Sequence, residues 1–441
     1  TQEPPYVTTI TDMHGDPIAY LYTQNRTPAA PDQIADTMKA AIIAIEDRRF
    51  FDHDGVDWAG TMRAAVTNQT SGEISQGGST LTQQYVKNHL VHVVAGDDPV
   101  KQAKAIEQTP ARKLREIRIA LQIEKQLSKE EILTRYLNVV PFGNGTYGVA
   151  EASRAYFDTT PDKLTVSQAA LLAAVVNSPT SLNPVTNPEE ALFRRNLVIQ
   201  AMLDQHRISP KTAEEARKEP LGIVEPVRTR PNGCVGANPS DGFFCKYVID
   251  YLESAGFTEE QLKNGGYTIR TTMDKRVTRA AKEAAEQHVP KRTKGIANVM
   301  SVIEPGKEKH RVRALVANRD FGLDQSKGQT AYALPSGVVK FGAGSVYKVF
   351  TAAAALEAGM GIYTTIPSPA TYTSKVYRNG AAPYTVSNAE GVGAGARTIQ
   401  MALATSPNTA FVALQERVGL DRTVDMAVRL GMRQTLLFHN G

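Results

Sequence analysis

The chain has 441 residues, of which 41% are hydrophobic and 22% charged, enough for two or three globular domains. Its formal charge of +5 is mild and gives no ground for nucleic-acid binding. No run reaches the roughly 20 apolar residues of a membrane span; the longest, Ala169 to Val176, has the length of a core helix. The first residue is Thr1 rather than Met, so the question of an anchor ahead of it stays open.

In chain order, Tyr6–Ile10 and Pro17–Tyr22 alternate as strands around the turn His14-Gly15-Asp16 and predict a hairpin. From about Ile34 to His206 helices dominate. The apolar run Ala40–Ile45 leads into Glu46-Asp-Arg-Arg-Phe-Phe-Asp-His-Asp-Gly55. A carboxylate ending a buried helical run is partly desolvated, which raises its pKa and makes Glu46 a proton acceptor near neutral pH.

Gly77-Gly-Ser-Thr-Leu-Thr-Gln-Gln-Tyr-Val-Lys87 reads as a Gly-rich approach to a helix capped by Ser79 or Thr80. Thr80, Gln84 and Lys87 share one face and suit a phosphate, and Leu81 and Tyr85 form a separate apolar face. Positive charge is dense from Lys101 to Lys125, the pattern of a solvated helix face. Within it Arg112, Glu116, Ala120 and Glu124 lie along one side, with Leu114, Ile117 and Leu121 as the expected buried stripe. An Arg112–Glu116 pair at the surface is worth only about 0.3–0.5 kcal/mol. Its functional reading is a second carboxylate beside cations that neutralise a leaving group.

Ser128-Lys-Glu-Glu131 is a capping box, and Asn187-Pro188 opens another helix. Gly143, Gly145 and Gly148 match G-x-G-x-x-G, but they follow a helix where a dinucleotide site needs a strand, so they predict a turn between helices. Arg194-Arg195 places two cations on a helix and says little more. Residues 207–295 are broken by Pro and Gly and read as a linker region with short strands such as Tyr267–Thr271. In it Cys234 and Cys245 flank a flexible loop; a disulfide and two unrelated thiols both fit. After Gly295, paired strands at 297–303 and 311–317 precede a helix from Ser345 to Ala358 and another from about Thr398. Ser345 and Lys348 stand one helical turn apart, so a desolvated Lys348 amine can serve as base to the hydroxyl.

The five N-terminal signatures, in this order over about Ala30 to Gln205, resemble the motifs of the peptidoglycan glycosyltransferase domain of class A (bifunctional) penicillin-binding proteins, with an actinobacterial flavour in Thr109–Glu116 and the cysteine pair. Ser345-Val-Tyr-Lys348 and Ser406-Pro-Asn408 resemble the S-x-x-K and S-x-N motifs of the penicillin-binding transpeptidase domain. The resemblance implies an α+β multidomain fold: residues 1–30 a hairpin and linker, 31–206 a mainly α, lysozyme-like glycosyltransferase domain, 207–295 a linker region, and 296–441 a partial α/β penicillin-binding (serine acyltransferase) domain. It implies that Glu46 is the general base and that Glu116 assists at the leaving group. Ser79, Thr80, Gln84, Lys87, Arg112 and Lys113 would bind substrate, the cations and Ser79 holding pyrophosphate. Ser345 would be the acylated nucleophile, Lys348 its base, Ser406 a proton relay and Asn408 a peptide-amide binder.

The implied partners are lipid II and glycan strands, stem peptides, β-lactams and the membrane surface, on the extracytoplasmic face of the plasma membrane, where a Cys234–Cys245 bridge is the favoured state. No cofactor is implied; a divalent cation near Glu116 is conceivable, but no ligand set for one is evident. The rival readings are a lysozyme-like peptidoglycan hydrolase, against which the cationic pocket argues, and a non-catalytic cell-wall scaffold, against which the intact Glu46, Glu116, Ser345 and Lys348 argue. No Lys-Thr-Gly or Lys-Ser-Gly follows Ser406, so a fragment of a longer protein is expected. The stretch His89 to Thr109 fits no motif and is expected as a long loop.

Overall fold

The computed structural model describes residues 2–60, 78–96, 98–107, 109–337 and 343–432. The chain divides into two compact units, Thr1–Ser336 and Gly337–Gly441. Gly77 lies outside the described residues.

The first unit opens with the expected hairpin. Strands β1 (Thr8–Thr11) and β2 (Pro17–Leu21) pair antiparallel, Ile10 opposite Ala19. Asp12 fixes the turn, its carboxylate accepting the N–H groups of His14 (2.8 Å) and Asp16 (2.9 Å). Two further short strands, β3 (Asn25–Arg26) and β4 (Pro141–Gly143), flank β5 (Thr146–Tyr147). The Gly-rich turn is therefore a small ribbon, not a bare turn, and Gly143, Asn144 and Gly145 all take positive φ at its tip.

The helical body consists of α1 (Asp36–Glu46), α2 (Leu81–His89), α3 (Pro99–Ile106), α4 (Pro110–Glu124), α5 (Lys129–Val139), α6 (Val149–Phe157), α7 (Val166–Asn177), α8 (Pro188–Asp204) and α9 (Pro210–Lys218). Helix α7 is apolar on every side and buried from Ala169 to Val175, as a central helix must be. Helices α1 and α8 pack on it, and its alanines let their backbones approach. The caps follow the sequence. Ser128 and Glu131 close a reciprocal box at α5, and Thr165 and Gln168 do so at α7.

Three expectations change. The stretch from His89 to Thr109 is not a plain loop. Leu90–Val94 forms a π turn and α3 follows, its free N–H groups taken by Asp98 ahead of Pro99, an N-cap and first-turn proline that the sequence displays. On α4 the buried residues are Glu116 and Ala120, while Leu114 is 62% exposed and Ile117 and Leu121 are half-buried. The apolar stripe therefore does not face the core. Arg194-Arg195 also splits. Arg195 is wholly buried and donates to the carbonyls of Arg217, Glu219 and Pro220, capping the end of α9 with a guanidinium, and to Ser167 Oγ on α7.

Beyond α9, Cys234 and Cys245 form a disulfide with a Cα separation of 5.5 Å. It fastens a loop to the first turn of α10 (Gly242–Ser254), whose Phe243 and Phe244 pack with Ile10, Ile18 and Leu21 of the hairpin. After α11 (Glu259–Asn264), β6 (Thr268–Arg270) adds parallel to β1. Helix α12 (Lys275–His288) covers the antiparallel pair β7 (Val299–Glu304) and β8 (Arg311–Ala317), which lies within this first unit.

The second unit packs α13 (Lys348–Glu357), α14 (Ile399–Thr405), α15 (Asn408–Val418) and α16 (Leu420–Arg429) around Ala355, Ile366, Ile399, Phe411 and Leu414. A hairpin of Thr371–Asn379 and Ala382–Ser387 projects from it. Among the described residues no helix is long and apolar enough to cross a membrane.

Replacing Arg195 with Ala strands the carbonyls at the end of α9. We expect a loss of about 2–4 kcal/mol, read as a lowered calorimetric Tm of the first unit, whereas Arg194→Ala should leave that Tm nearly unchanged.

Candidate active sites

In the first unit the site forms where α1 ends. Its C-cap, Asp47, is 8% exposed and turns its carboxylate to the start of α2, accepting the Leu81 N–H at 3.0 Å and facing His53 Nε2 at 3.0 and 3.1 Å. Thr80 caps the same helix: its Oγ accepts the Gln83 N–H at 3.2 Å and donates to the Gly55 carbonyl at 2.7 Å. Gly55 holds φ +85° with the Ala120 carbonyl oxygen 3.1 Å from where a Cβ would lie, so this turn tolerates no side chain. Of the two residues that the sequence offers as caps, Thr80 takes the role. Its hydroxyl is committed in both directions, which leaves Ser79 free to do something else.

With the two helix ends locked together, Glu46 and Gln84 meet. Gln84 Nε2 donates to Glu46 Oε2 at 2.9 Å, and Tyr136 donates to Gln84 Oε1 at 3.2 Å. Glu46 Oε1 is buried and has no hydrogen-bond partner among the described residues. Burial pushes the Glu46 carboxyl above the ordinary range; the Gln84 hydrogen bond, the charge of Arg194 and the Asn177 side chain partly offset that, and Asp47 adds to it.

A cavity of about 760 Å³ opens here, and its lining includes Glu46, Lys87, Lys113, Glu116, Asn177 and Arg194. Ser79, Thr80 and Gln84 also border it. Lys113 Nζ donates to Ser79 Oγ (2.6 Å) and Gln83 Oε1 (3.2 Å) and lies 3.6 Å from Glu116 Oε2. Burial lowers the Lys113 pKa, with Glu116 acting against it. Lys87 is exposed and makes no side-chain hydrogen bond or ion pair among the described residues. The Arg112–Glu116 pair is not the surface pair of the bland reading. Glu116 is 2% exposed, and Arg112 pairs with it while also donating to the Glu107 carbonyl. Arg112 does not line the cavity; it supports Glu116 from behind, and removing it would leave a buried charge short of a partner. That double pairing occupies the Glu116 carboxylate, and among the described residues no group of three His, Cys, Asp or Glu side chains could hold a metal.

Two residues here had no role in the sequence reading. Asp47 could have been found by asking what satisfies the N–H groups at the start of α2. Arg194 borders the cavity with a buried Nε that has no partner among the described residues, and nothing in its sequence neighbourhood separates it from Arg195.

In the second unit the helix expected from Ser345 begins as a 3-10 turn, Gly344–Tyr347, before α13. Lys348 Nζ donates to Asn408 Oδ1 (2.7 Å), the Ser406 carbonyl (2.8 Å) and Ser406 Oγ (3.0 Å). Ser406 holds a left-handed backbone, φ +53°, which turns both its oxygens to the amine. Asn408 Nδ2 donates to the Ser387 carbonyl at 3.1 Å, tying the hairpin to the cluster. Burial lowers the Lys348 pKa. Ser345 is exposed and its hydroxyl makes no hydrogen bond to Lys348. The structure thus gathers Lys348, Ser406 and Asn408, with Ser345 one turn away at the open side.

A buried carboxylate at a cation-lined cavity in one unit and a Lys-Ser-Asn cluster in the other make two separate candidate sites on one chain. The family comparisons also find two domains: residues 14–203 match the transglycosylase family model and 308–439 the penicillin binding protein transpeptidase domain, the second match beginning within the first unit. The chain is 32% identical over 432 residues to penicillin-binding protein 1A of Mycobacterium tuberculosis, covering 97% of this chain and 48% of that one. It is 34% identical over 280 residues to penicillin-binding protein 1A of Escherichia coli, covering 62% and 30%. A crystal structure of penicillin-binding protein 1A from Haemophilus influenzae shares the fold, with a TM-score of 0.50 at 17% identity over 98% of this chain and 64% of that one. The chain belongs to the class A penicillin-binding protein family and carries its transglycosylase and transpeptidase domains. It spans about half the length of the mycobacterial relative.

The raised pKa of Glu46 makes a test of its environment. A carboxyl with a folded pKa above its unfolded value contributes fully below the unfolded pKa, and stability is lost as pH rises through the folded pKa. Glu46→Gln carries no such charge. The Tm of the variant should therefore gain on the wild type between about pH 4 and pH 8, and calorimetry across that range measures it.

Proposed function

We propose that the first unit polymerises lipid II into glycan strands by inverting transfer. The observation that carries this reading is a buried carboxylate of raised pKa and a cationic wall sharing one cavity. Glu46 removes the proton from the acceptor sugar hydroxyl as its oxygen bonds to the anomeric carbon of the growing chain. The bond from that carbon to the diphosphate breaks on the opposite face. The negative charge that develops on the departing lipid diphosphate falls to Lys87 and Lys113, with Ser79 held at the Lys113 amine as a further hydrogen-bonding group. Glu116 and Arg112 work on this leaving-group side by fixing Lys113. Thr80 and Gln84 shape the site through the α2 cap and the Glu46 carboxylate. The cationic wall favours this reading over glycan hydrolysis, because a neutral glycosidic leaving group needs no diphosphate clamp.

For the second unit we propose acyl transfer from the stem-peptide D-Ala-D-Ala end. The Ser345 hydroxyl attacks the carbonyl and loses its proton to Lys348. Ser406 passes the proton to the leaving amine, and Asn408 binds the peptide amide. β-Lactams would acylate the same serine. We assign residues 1–30, 31–206, 207–295 and 296–441 to hairpin and linker, glycosyltransferase, linker region and transpeptidase segments. The place of action is the extracytoplasmic face of the plasma membrane, against anionic headgroups.

Incubation with lipid II tests the first assignment: Glu46→Gln should reduce polymer formation at least about 100-fold with the circular dichroism spectrum intact. Near-normal polymer from that variant would remove Glu46 as the base. For the second, intact mass of the full-length protein after treatment with penicillin should show one adduct on Ser345. The adduct should be absent in Ser345→Ala and form about 100-fold or more slowly in Lys348→Ala. An adduct that persists in Ser345→Ala would refute the assignment.

A further inference from the structure

We infer that Tyr136 is a positioning residue for Glu46, acting through the Gln84 carboxamide; this rests on the glycosyltransferase reading only for its consequence in catalysis. Tyr136 sits on α5, fully buried, and packs in the helical core. Its hydroxyl meets Gln84 Oε1 at 3.2 Å, and the same carboxamide gives Nε2 to Glu46 Oε2 at 2.9 Å. The three side chains come from α5, α2 and α1, so the chain of hydrogen bonds crosses three helices.

A carboxamide is nearly symmetric in shape but not in chemistry. Turned one way, Gln84 presents two N–H donors to the carboxylate. Turned over, it presents an oxygen, which an ionised carboxylate repels. The hydroxyl of Tyr136 biases the choice. As a donor it satisfies Gln84 Oε1 on the buried side and leaves the amide nitrogen for Glu46. Without it, the donating orientation would strand a buried carbonyl oxygen, and the amide would lose its preference. Glu46 needs that preference, because the Gln84 bond is the hydrogen bond that offsets its burial most, with Asn177 adding a lesser one. The charged groups that act on Glu46 are Arg194 on α8 and Asp47 beside it, with Lys87, Lys113 and Glu116 further round the cavity wall. Tyr136→Phe alters none of these. Burial also keeps the phenol protonated, so it remains a donor at any working pH.

The experiment is a double-mutant cycle on the titration of Glu46, followed by 13C NMR of the side-chain carboxyl carbon, with Glu46→Gln identifying the resonance. Tyr136→Phe should raise the Glu46 midpoint by roughly 0.5–1 pH unit, because the ionised form loses a hydrogen bond. Gln84→Leu should raise it by more. The double variant should match Gln84→Leu alone, since the hydrogen-bonded route from Tyr136 to Glu46 runs through the amide and the phenol stays neutral. Shifts that add, or a Tyr136→Phe midpoint equal to wild type, would overturn the inference. So would a Tyr136→Phe variant that loses its fold, judged by circular dichroism and Tm, with the Gln84→Leu midpoint unmoved. Polymer formation against pH is the second readout: the acid limb for Tyr136→Phe should move up with the NMR midpoint, at unchanged KM. An NMR shift without a matching change in the rate profile would leave the positioning role standing and sink the assignment of Glu46 as base.

Discussion

One carboxylate makes the first site: Asp47. The end of α1 and the start of α2 are separated by 34 residues in sequence, and each leaves unpaired backbone groups. Asp47 takes the Leu81 N–H directly and holds His53 beside it, while Thr80 fastens the same helix start to the Gly55 carbonyl. Negative charge at a helix N-terminus is favoured by the helix dipole as well as by the hydrogen bond. The consequence is geometric. With the two termini fixed, the last residue of α1 and the first full turn of α2 have no choice but to face each other, and those positions hold Glu46 and Gln84. Glu46 thus depends for its place on the acid next to it, which also borders the cavity and whose charge adds to the rise of the Glu46 pKa.

The cationic wall follows a different rule. Glu116 is nearly sealed from water and would be costly there alone. It is bracketed by Arg112 and Lys113, and Lys113 in turn reaches Ser79 and Gln83 on α2. Glu116 therefore joins α4 to α2 through a lysine whose amine still borders the cavity. Arg112, the strongest cation in the motif by sequence, stands behind this arrangement. The buried side of α4 is thus shared between this charge pairing and Ala120, and Leu114 is left exposed.

Much of the local structure was legible because it rests on local chemistry. Caps at Ser128, Thr165 and Thr398, the hairpin around Gly15 and the apolar α7 each depend on residues within a few positions of one another. What was not legible depends on distance. Nothing near Arg195 announces that its guanidinium caps α9, some twenty residues on, while Arg194 borders a cavity made by α1 and α7. The buried side of α4 could not be read from hydropathy, because an ion pair outranked leucine there. Ser345 was legible as a type of residue at a type of spacing, but the 3-10 turn that carries it is one that the spacing alone does not distinguish from an α-helix.

The two sites also share a device with opposite sign. Burial raises Glu46 and lowers Lys348, in each case disfavouring the charged form. A full counter-charge in direct contact would cancel that shift and fix the group in its ionised state. Among the described residues neither group has one. The partners of Glu46 are the carboxamides of Gln84 and Asn177, and the direct partners of Lys348 are the carboxamide of Asn408 and the oxygens of Ser406. A neutral dipole steadies the geometry and offsets burial only in part, so the shift that burial sets survives. Glu116 shows the contrast: it is held by two cations, which suits a residue that organises a wall of charge and not one that exchanges protons across it.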